Sequence, residues 1–242
     1  MTASFFSRLH RFVAARLSPE GETGLHLSVG VALIVGAAWL FGGIAEDVVN
    51  HESLTVLDVR IAHWFHAHAS APMTQAMLLI THVHGMAGST ILGLMLAAWW
   101  YWSRQRYWLT TLVVALPGGM LLNVLLKYVF QRARPSFDEP LLTLTTYSFP
   151  SGHTANAALL YGLLGSWLWV RHRGSGARLA IVACACMMVA LVGTSRMYLG
   201  VHYLSDVLAA MAAAGAWLTV CITAMSTWRR RHGRALQSTR GD

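Results

Sequence analysis

Long apolar runs alternate with short polar segments along the 242-residue chain. Several runs are about twenty residues long, enough for an α-helix to cross about 30 Å of hydrocarbon. The pattern predicts membrane spans near residues 25–44, 87–103, 108–130, 153–170, 178–195 and 203–227. We therefore expect an all-α, polytopic membrane protein with a bundle of six transmembrane helices.

The segments outside these spans carry different patterns. Residues 1–24 place apolar side chains at helical spacing among arginines, which predicts an amphipathic segment on the cytoplasmic membrane surface. A cleaved secretory signal fits less well, and an organelle transit peptide is left open. The stretch between the first two spans contains Asp58, Trp64 and Pro72, and we expect interfacial helices there. Residues 25–228 form the membrane domain, and residues 229–242 form a basic cytoplasmic tail.

Composition supports the membrane class and narrows the partners. Only 12% of the residues are charged and 55% are hydrophobic, whereas soluble domains carry about 25% charged residues. The net charge of +8 comes from arginines clustered beside the apolar runs, without the stripe or tail expected for nucleic acid. Cys184, Cys186 and Cys221 lie inside apolar runs, where neither a disulfide framework nor a zinc site fits.

The short loops differ in their basic residues, and this difference predicts the orientation. One side receives the larger set, which marks it as cytoplasmic and holds both termini: Arg8, Arg11, Arg16, Arg104, Arg106, Arg171, Arg173, Arg178, Arg229, Arg230, Arg231 and Arg234. The opposite side still carries cations, namely Arg60, Lys127, Arg132, Arg134 and Arg196. Positive residues are disfavoured on the side away from the cytoplasm. These cations therefore require a chemical reason for their presence.

The stretch from Ser195 to Asp206 interrupts two apolar runs with polar groups. His202 and Asp206 are four residues apart, so on a helix the carboxylate can fix the tautomer of the imidazole. A histidine nucleophile or base is prepared in this way. Arg196 precedes them, and Gly200 permits a tight turn between. The structural alternative is a helix cap with an interfacial arginine.

Two further segments end at the same predicted membrane face. Lys127 and Arg134 close the third span, and Pro135 turns the chain away from helical geometry. With Arg196 they form a cation cluster that suits a phosphate dianion. Ser151 is expected to cap the fourth span, so the N–H groups of Gly152 and His153 would point at an anion.

The order of these segments, Lys127 to Arg134-Pro135, then Pro150-Ser151-Gly152-His153, then Ser195-Arg196 to His202 and Asp206, resembles the three motifs of the type 2 phosphatidic acid phosphatase (PAP2) family. The resemblance covers about residues 55–225. Leu204 stands where many members of the family have proline, and it departs from the pattern without touching the chemistry.

The resemblance implies a metal-independent lipid phosphatase with no cofactor, and it makes residues 25–228 a membrane phosphatase domain. His202 would form a phosphohistidine, Asp206 would orient it, and His153 would protonate the leaving oxygen. The phosphate-binding residues implied are Lys127, Arg134, Ser151, Gly152 and Arg196.

Other polar residues are interpreted without a catalytic role. His63, His66, His68, His82 and His84 suggest a metal site at first, but His66 and His68 would diverge on a helix, so we expect interfacial side chains. Asn123 either holds Lys127 or makes an interhelical hydrogen bond. Arg132 either touches the substrate or reaches the lipid headgroups. The tryptophans near span ends predict an aromatic belt: Trp39, Trp99, Trp100, Trp102 and Trp108.

The expected substrate is a lipid phosphate or pyrophosphate, because the site would open at the outer headgroup level among membrane lipids. We expect a bacterial inner-membrane enzyme whose site faces the periplasm. The favoured candidate substrate is undecaprenyl pyrophosphate. Phosphatidylglycerophosphate or phosphatidate comes next, followed by lipid A. Lipid selectivity is assigned to residues 42–86 and 136–149. A non-catalytic lipid carrier is the rival from another class, a soluble haloperoxidase fits less well, and the oligomeric state is left open.

Overall fold

The protein is described from a computed structural model, which covers residues 24–238. The predicted amphipathic segment at residues 1–24 and the last residues of the basic tail lie almost wholly outside this range. Eight helices are present within it: α1 (Leu25–Asn50), α2 (Ser53–Ala67), α3 (Ala71–Val83), α4 (Met86–Trp102), α5 (Arg106–Phe130), α6 (Gly152–Arg171), α7 (Ser175–Tyr198) and α8 (Leu204–Ser238).

The helices assemble into a bundle with two distinct ends. At one end, α5 begins beside the later part of α8, where the Tyr107 hydroxyl lies 2.9 Å from the Ser226 hydroxyl. At the other end, α5 and α7 finish, α6 and α8 begin, and residues 131–151 form a non-helical loop. The predicted motif segments therefore share one end of the bundle. We call this end the site end.

Membrane character is supported by long apolar helices, although the predicted count of six spans is not confirmed. In the described part of the chain, four helices are long and apolar enough to cross a membrane: Leu25–Asn50, Arg106–Phe130, Ser175–Tyr198 and Leu204–Arg231. The pair α3 and α4, bent by 52° at the break between them, raises the number to five if it counts as one span. Large apolar side chains such as Leu33, Val35 and Leu179 are exposed on the outer surface.

Helix α6 corresponds to the remaining predicted span, and its position explains its weaker apolar signal. It packs against α4, α5, α7 and α8. Its buried side chains include Thr154 and Asn156 beside leucines and alanines. A helix enclosed by other helices can carry polar groups that a lipid-facing helix cannot, because its neighbours or a cavity can satisfy them.

The main core contains two of the tryptophans that we assigned to an aromatic belt. Trp100 and Trp108 are buried with Trp167 and the leucines of α5 and α6, so the interpretation as belt residues is wrong for both. Their apolar area is instead used between helices, where an aromatic side chain contributes most to burial. Trp39 and Trp102 are largely exposed, as a belt requires.

The break between α3 and α4 is closely packed around Gly88. A Cβ atom at Gly88 would overlap the carbonyl oxygen of Val83 and would lie 2.8 Å from that of His82. Both obstacles are backbone atoms, which cannot move as a side-chain end can. The bend therefore depends on the absence of a side chain at this position.

We predict that Gly88→Ala destabilises the protein, because the added methyl group forces the α3–α4 backbone apart. The expected loss is about 1–3 kcal/mol, the usual range for overpacking. Thermal unfolding in detergent measures it. Gly36→Ala is the matched control, since nothing lies within 4 Å of a Cβ there. Equal melting temperatures for the two variants would contradict the prediction.

Candidate active site

A cavity of about 590 Å³ opens at the site end and brings the three motif segments together. Five of the predicted site residues line it: Lys127, Arg134, Gly152, His153 and His202. Side chains of α4 and α5 form its apolar wall, and residues 144–147 of the loop cover it. Asp206, Ser151 and Arg196 are buried around this cavity and are not among its lining residues.

His202 and Asp206 adopt the arrangement that their spacing predicts. The Nδ1 atom of His202 lies 3.2 Å from an Asp206 carboxylate oxygen, and Nε2 lies 3.2 Å from Nη1 of Arg134. Because a guanidinium can only donate, Nε2 carries the lone pair and Nδ1 carries the proton. The acceptor nitrogen of the ring is therefore Nε2, which lies beside the Arg134 guanidinium.

The surroundings of His202 keep its imidazole neutral. His202 lies between α7 and α8 and is buried, and this burial lowers its pKa, while the Asp206 carboxylate acts in the opposite direction and Arg134 and Arg196 reinforce the burial. A neutral imidazole retains the lone pair that nucleophilic attack requires. Gly200, which has φ of 67°, forms the turn that leads from α7 to His202.

Backbone carbonyl groups of the covering loop hold Lys127 and Arg134. Nζ of Lys127 donates to the carbonyl oxygens of Tyr147 at 2.6 Å and Ser148 at 3.2 Å. Arg134 donates through Nε to Thr146 O at 2.6 Å and through Nη1 to Val201 O at 2.6 Å. These bonds fix both cations before a ligand binds. Fixed charges need no reorganisation when negative charge develops nearby.

Arg196 is buried beside the same site and keeps donor capacity. Its Nη1 atom donates to the hydroxyl of Thr81 on α3. The Nε and Nη2 atoms have no hydrogen-bond partner among the described residues. A buried guanidinium with unused donors is costly unless an anion completes its coordination. Thr81 lies outside all three motif segments, and the sequence carries no signal for its role.

The start of α6 differs in one detail from its predicted form. Ser151 occupies the N-cap position, but its side chain does not cap the helix. Its hydroxyl instead accepts a hydrogen bond from Thr154 at 3.0 Å, and its backbone N–H donates to Asp206 O at 3.0 Å. The predicted capping bond is therefore wrong. Gly152 and His153 remain in the first turn, whose N–H groups have no partner within a helix.

A buried ionic network supports Asp206 from the side opposite His202. Nη1 of Arg132 donates to Asp206 at 2.7 Å, and Nη2 donates to Asp58 at 2.8 Å. Ser205 joins Asp58 to Arg132, because its N–H donates to Asp58 at 2.9 Å, its hydroxyl donates to Asp58, and the same hydroxyl accepts from Arg132. Ser148 also donates to Asp206. Every oxygen of Asp206 thus has a donor.

Sequence reasoning missed this network. The side chain of Arg132 is only 13% exposed, and it stacks on the Tyr203 ring at 4.3 Å. These contacts fit neither of the two roles predicted for Arg132, which were contact with the substrate and reach to the lipid headgroups. Asp58 is fully buried on α2. The single carboxylate within α2 was the available signal, but its partner, 74 residues away, could not be identified from spacing.

The remaining predicted residues have local partners. Asn123 donates to Pro150 O at 3.4 Å, in the loop just before α6, so it makes neither the predicted bond to Lys127 nor a bond between two helices. The ring of His66 stacks on Phe137, and that of His68 on Trp64. His84 is buried and lies 2.7 Å from the Tyr161 hydroxyl. Within residues 24–238, no three His, Cys, Asp or Glu side chains are grouped closely enough to hold a metal ion.

Comparison with known proteins connects this site to one family. The model of the PAP2 superfamily matches residues 107–230. Phosphatidylglycerophosphatase B of Bacillus subtilis (strain 168) is 33% identical over 138 residues, covering 56% of this chain and 67% of the relative. Undecaprenyl-diphosphatase of Sulfolobus acidocaldarius is 32% identical over 118 residues, 45% of this chain and 50% of the relative. For lipid A 1-phosphatase of Rhizobium etli, identity is 33% over 123 residues and coverage is 47% of each chain.

Two solved structures share the fold. The crystal structure of a transmembrane PAP2 type phosphatidylglycerolphosphate phosphatase from Bacillus subtilis has a TM-score of 0.70 and 27% identity, covering 78% of this chain and 93% of that chain. The crystal structure of Aquifex aeolicus LpxE has a TM-score of 0.56 and 20% identity, with coverage of 69% and 94%. The second likeness concerns the fold alone. The described helices thus belong to a known membrane phosphatase architecture.

We predict that Arg132→Gln strongly destabilises the protein, because it leaves two buried carboxylates without their shared cation. The expected loss is about 3–5 kcal/mol, measured by thermal unfolding in detergent. The double variant Asp58→Asn/Arg132→Gln removes one of the stranded charges and should recover part of the loss. Arg60→Gln, at an exposed arginine, is the matched control. Equal losses at Arg60 and Arg132 would contradict the network.

Proposed function

This chain belongs to the PAP2 superfamily, and we propose that it is a membrane lipid phosphatase that transfers the phosphoryl group of a lipid to His202 and then to water. One observation carries the proposal. His202 lines the same cavity as Lys127, Arg134 and His153, its Nε2 lies beside Arg134, and Asp206 holds the opposite ring nitrogen. A nucleophile, an orienting carboxylate, a second imidazole and cations are what phosphoryl transfer requires.

The proposed reaction has two steps. Nε2 of His202 attacks phosphorus while the bond to the leaving oxygen breaks, and His153 gives that oxygen a proton. Water then attacks the phosphohistidine, His153 takes the proton of this water, and inorganic phosphate leaves with His202 regenerated. Asp206 stabilises the imidazolium side of the ring throughout. Lys127, Arg134, Arg196 and the first N–H groups of α6 at Gly152 neutralise the phosphoryl oxygens.

Ser151 has a supporting role in this proposal. Its hydroxyl is committed to Thr154 and its N–H to the Asp206 carbonyl. It therefore joins the start of α6 to the start of α8, and so holds the two catalytic histidines in register. Direct phosphate binding, the role implied by resemblance, is left to its neighbour Gly152.

Among lipid substrates, we propose phosphatidylglycerophosphate first and undecaprenyl pyrophosphate second. The order from sequence alone was the reverse. The similarity to Bacillus subtilis phosphatidylglycerophosphatase B, which extends over 67% of that relative, supports the change. The similarity to the Sulfolobus acidocaldarius undecaprenyl-diphosphatase keeps the second candidate. Lipid A and phosphatidate remain candidates of the same chemical class.

We further propose a bacterial inner-membrane location with the site end toward the periplasm. The support is the distribution of arginines. The helix ends opposite the site carry Arg104, Arg106, Arg171 and Arg178, and positive residues favour the cytoplasmic side. The cations at the site end are explained by their contacts within the site. Cysteine accessibility labelling at the two ends, in intact cells, tests this orientation.

The activity test is phosphate release by the full chain purified in detergent. The panel contains phosphatidylglycerophosphate, phosphatidate, undecaprenyl pyrophosphate and lipid A, each with and without a chelator. We expect release from at least one lipid, highest with phosphatidylglycerophosphate and insensitive to the chelator, because the site residues suffice for the proposed chemistry. Binding of lipids without any release would favour the non-catalytic carrier. Activity lost with the chelator and restored by a divalent cation would overturn the metal-independent mechanism.

We predict that His202→Ala abolishes phosphate release, with a loss of about a thousandfold or more, because the attacking atom is removed. The melting temperature of the variant establishes that it is folded. His172→Ala is the matched control, since His172 is exposed and bonds only the Leu168 carbonyl of its own segment. Acid-labile, base-stable labelling by a radioactive lipid phosphate should be present in the wild type and absent in His202→Ala. Wild-type turnover in His202→Ala would contradict the assignment of His202 as the nucleophile.

A further inference from the structure

Two asparagines line the cavity one helical turn inside the level of the catalytic groups. Asn123 precedes Lys127 by four residues on α5, which runs toward the site end. Asn156 follows His153 by three residues on α6, which runs away from it. A turn of helix is about 5.4 Å long. Asn156 therefore lies about one turn inside His153, whereas the Asn123 amide reaches the start of α6, where it donates to Pro150 O.

Asn156 is the less satisfied of the two. Asn156 is 8% exposed and lines the cavity. In the part of the chain that the structure describes, its side chain has no hydrogen-bond partner. Asn123 at least donates to Pro150 O at 3.4 Å. An amide that faces a largely apolar wall without a partner is unfavourable. Such a group is retained where a ligand supplies the missing bonds.

The surroundings of Asn156 indicate what kind of group it binds. The cavity wall at this depth contains Met120 and Val124 of α5, and Met86 adds a further apolar side chain. The cations that line the cavity, Lys127 and Arg134, are both at the outer level and are held there by loop carbonyls. An anion at the level of Asn156 would have no cation beside it among the lining residues. An uncharged polar group fits, since an amide can both donate and accept.

We propose that Asn156 binds an uncharged oxygen of the leaving group, close to the bond that is cleaved, and that this contact selects lipids with a glycerol-type linker. The inference rests on the proposed function. A phosphate held at the outer level places the hydroxyl or ester oxygens of a glycerol linker about one helical turn further in. In phosphatidate, the hydrocarbon of the tail then meets Met86, Met120 and Val124. A polyprenyl diphosphate instead places its second phosphate, an anion, at that depth.

The test compares one variant on substrates that differ in the linker. Asn156→Leu is nearly isosteric and removes only the amide. With phosphatidate, whose leaving group carries ester oxygens, kcat/KM should fall about fivefold to tenfold, the usual effect of one lost hydrogen bond. With hexadecyl phosphate, whose leaving group is a plain alcohol, kcat/KM should stay within about twofold. Undecaprenyl pyrophosphate should behave like hexadecyl phosphate.

Stability and a second variant keep the test independent of folding. Asn156→Leu should melt at the same temperature as the wild type or above it, because an unpaired amide is replaced by an apolar group. Asn156→Ala repeats the substrate comparison should the larger side chain not fit. Ser166→Ala is the matched control, since Ser166 lies on the same helix, bonds only Gly162 O and is not among the residues that line this cavity.

Three results would overturn the inference. Equal loss on phosphatidate and hexadecyl phosphate would make Asn156 a structural residue. No loss on either would leave it without a role in binding. The largest loss on undecaprenyl pyrophosphate would assign the amide to a second phosphate. Failure of the proposed function is recognised separately, because the wild-type protein would then release phosphate from none of these lipids.

Discussion

The structure depends on keeping one carboxylate, that of Asp206, ionised in a position with no access to water. Burial of a single charge is costly, and the penalty is offset only when each oxygen is paired and hydrogen-bonded. Arg132, Ser148 and the Tyr203 N–H supply these partners. Asp58 in turn fixes Arg132 from α2. The tautomer of His202 thus rests on contacts that begin more than a hundred residues earlier in the chain.

The same charges account for the class of ligand. The charged groups around the cavity, three of them buried and three half-buried, are four cations and two carboxylates: Lys127, Arg132, Arg134, Arg196, Asp58 and Asp206. Arg132 is committed to both carboxylates, so its charge acts within the network. With the two histidines left out of the count, two positive charges remain in excess, and a phosphate dianion matches them. The unused donors of Arg196 are consistent with such a ligand.

Much of the site could be predicted from sequence, because its residues lie at the ends of adjacent apolar runs. Once the alternation of spans was recognised, Lys127, Arg134, His153 and His202 had to share one face. The contacts that fix them could not be predicted in this way. Backbone carbonyls such as Tyr147 O leave no trace in residue identity, and the pairing of Asp58 with Arg132 depends on how α2 docks. The number of membrane spans is also hard to read from sequence. Helix α6 is enclosed by other helices, so its sequence need not be as apolar as that of a helix that faces lipid.

The cavity divides recognition of the substrate between two depths. Under the proposed function, groups at the outer level, such as Arg134 and His202, would meet the phosphoryl group that the candidate substrates share. Side chains further in, such as Met120 and Asn156, line the same cavity and would meet the part that differs. We expected selectivity to come only from residues 42–86 and 136–149, yet much of the inner wall belongs to α5 and α6. Such a division would let relatives named for different lipids belong to one family. The phosphate site is constrained by its buried charges, whereas the inner wall can change one side chain at a time.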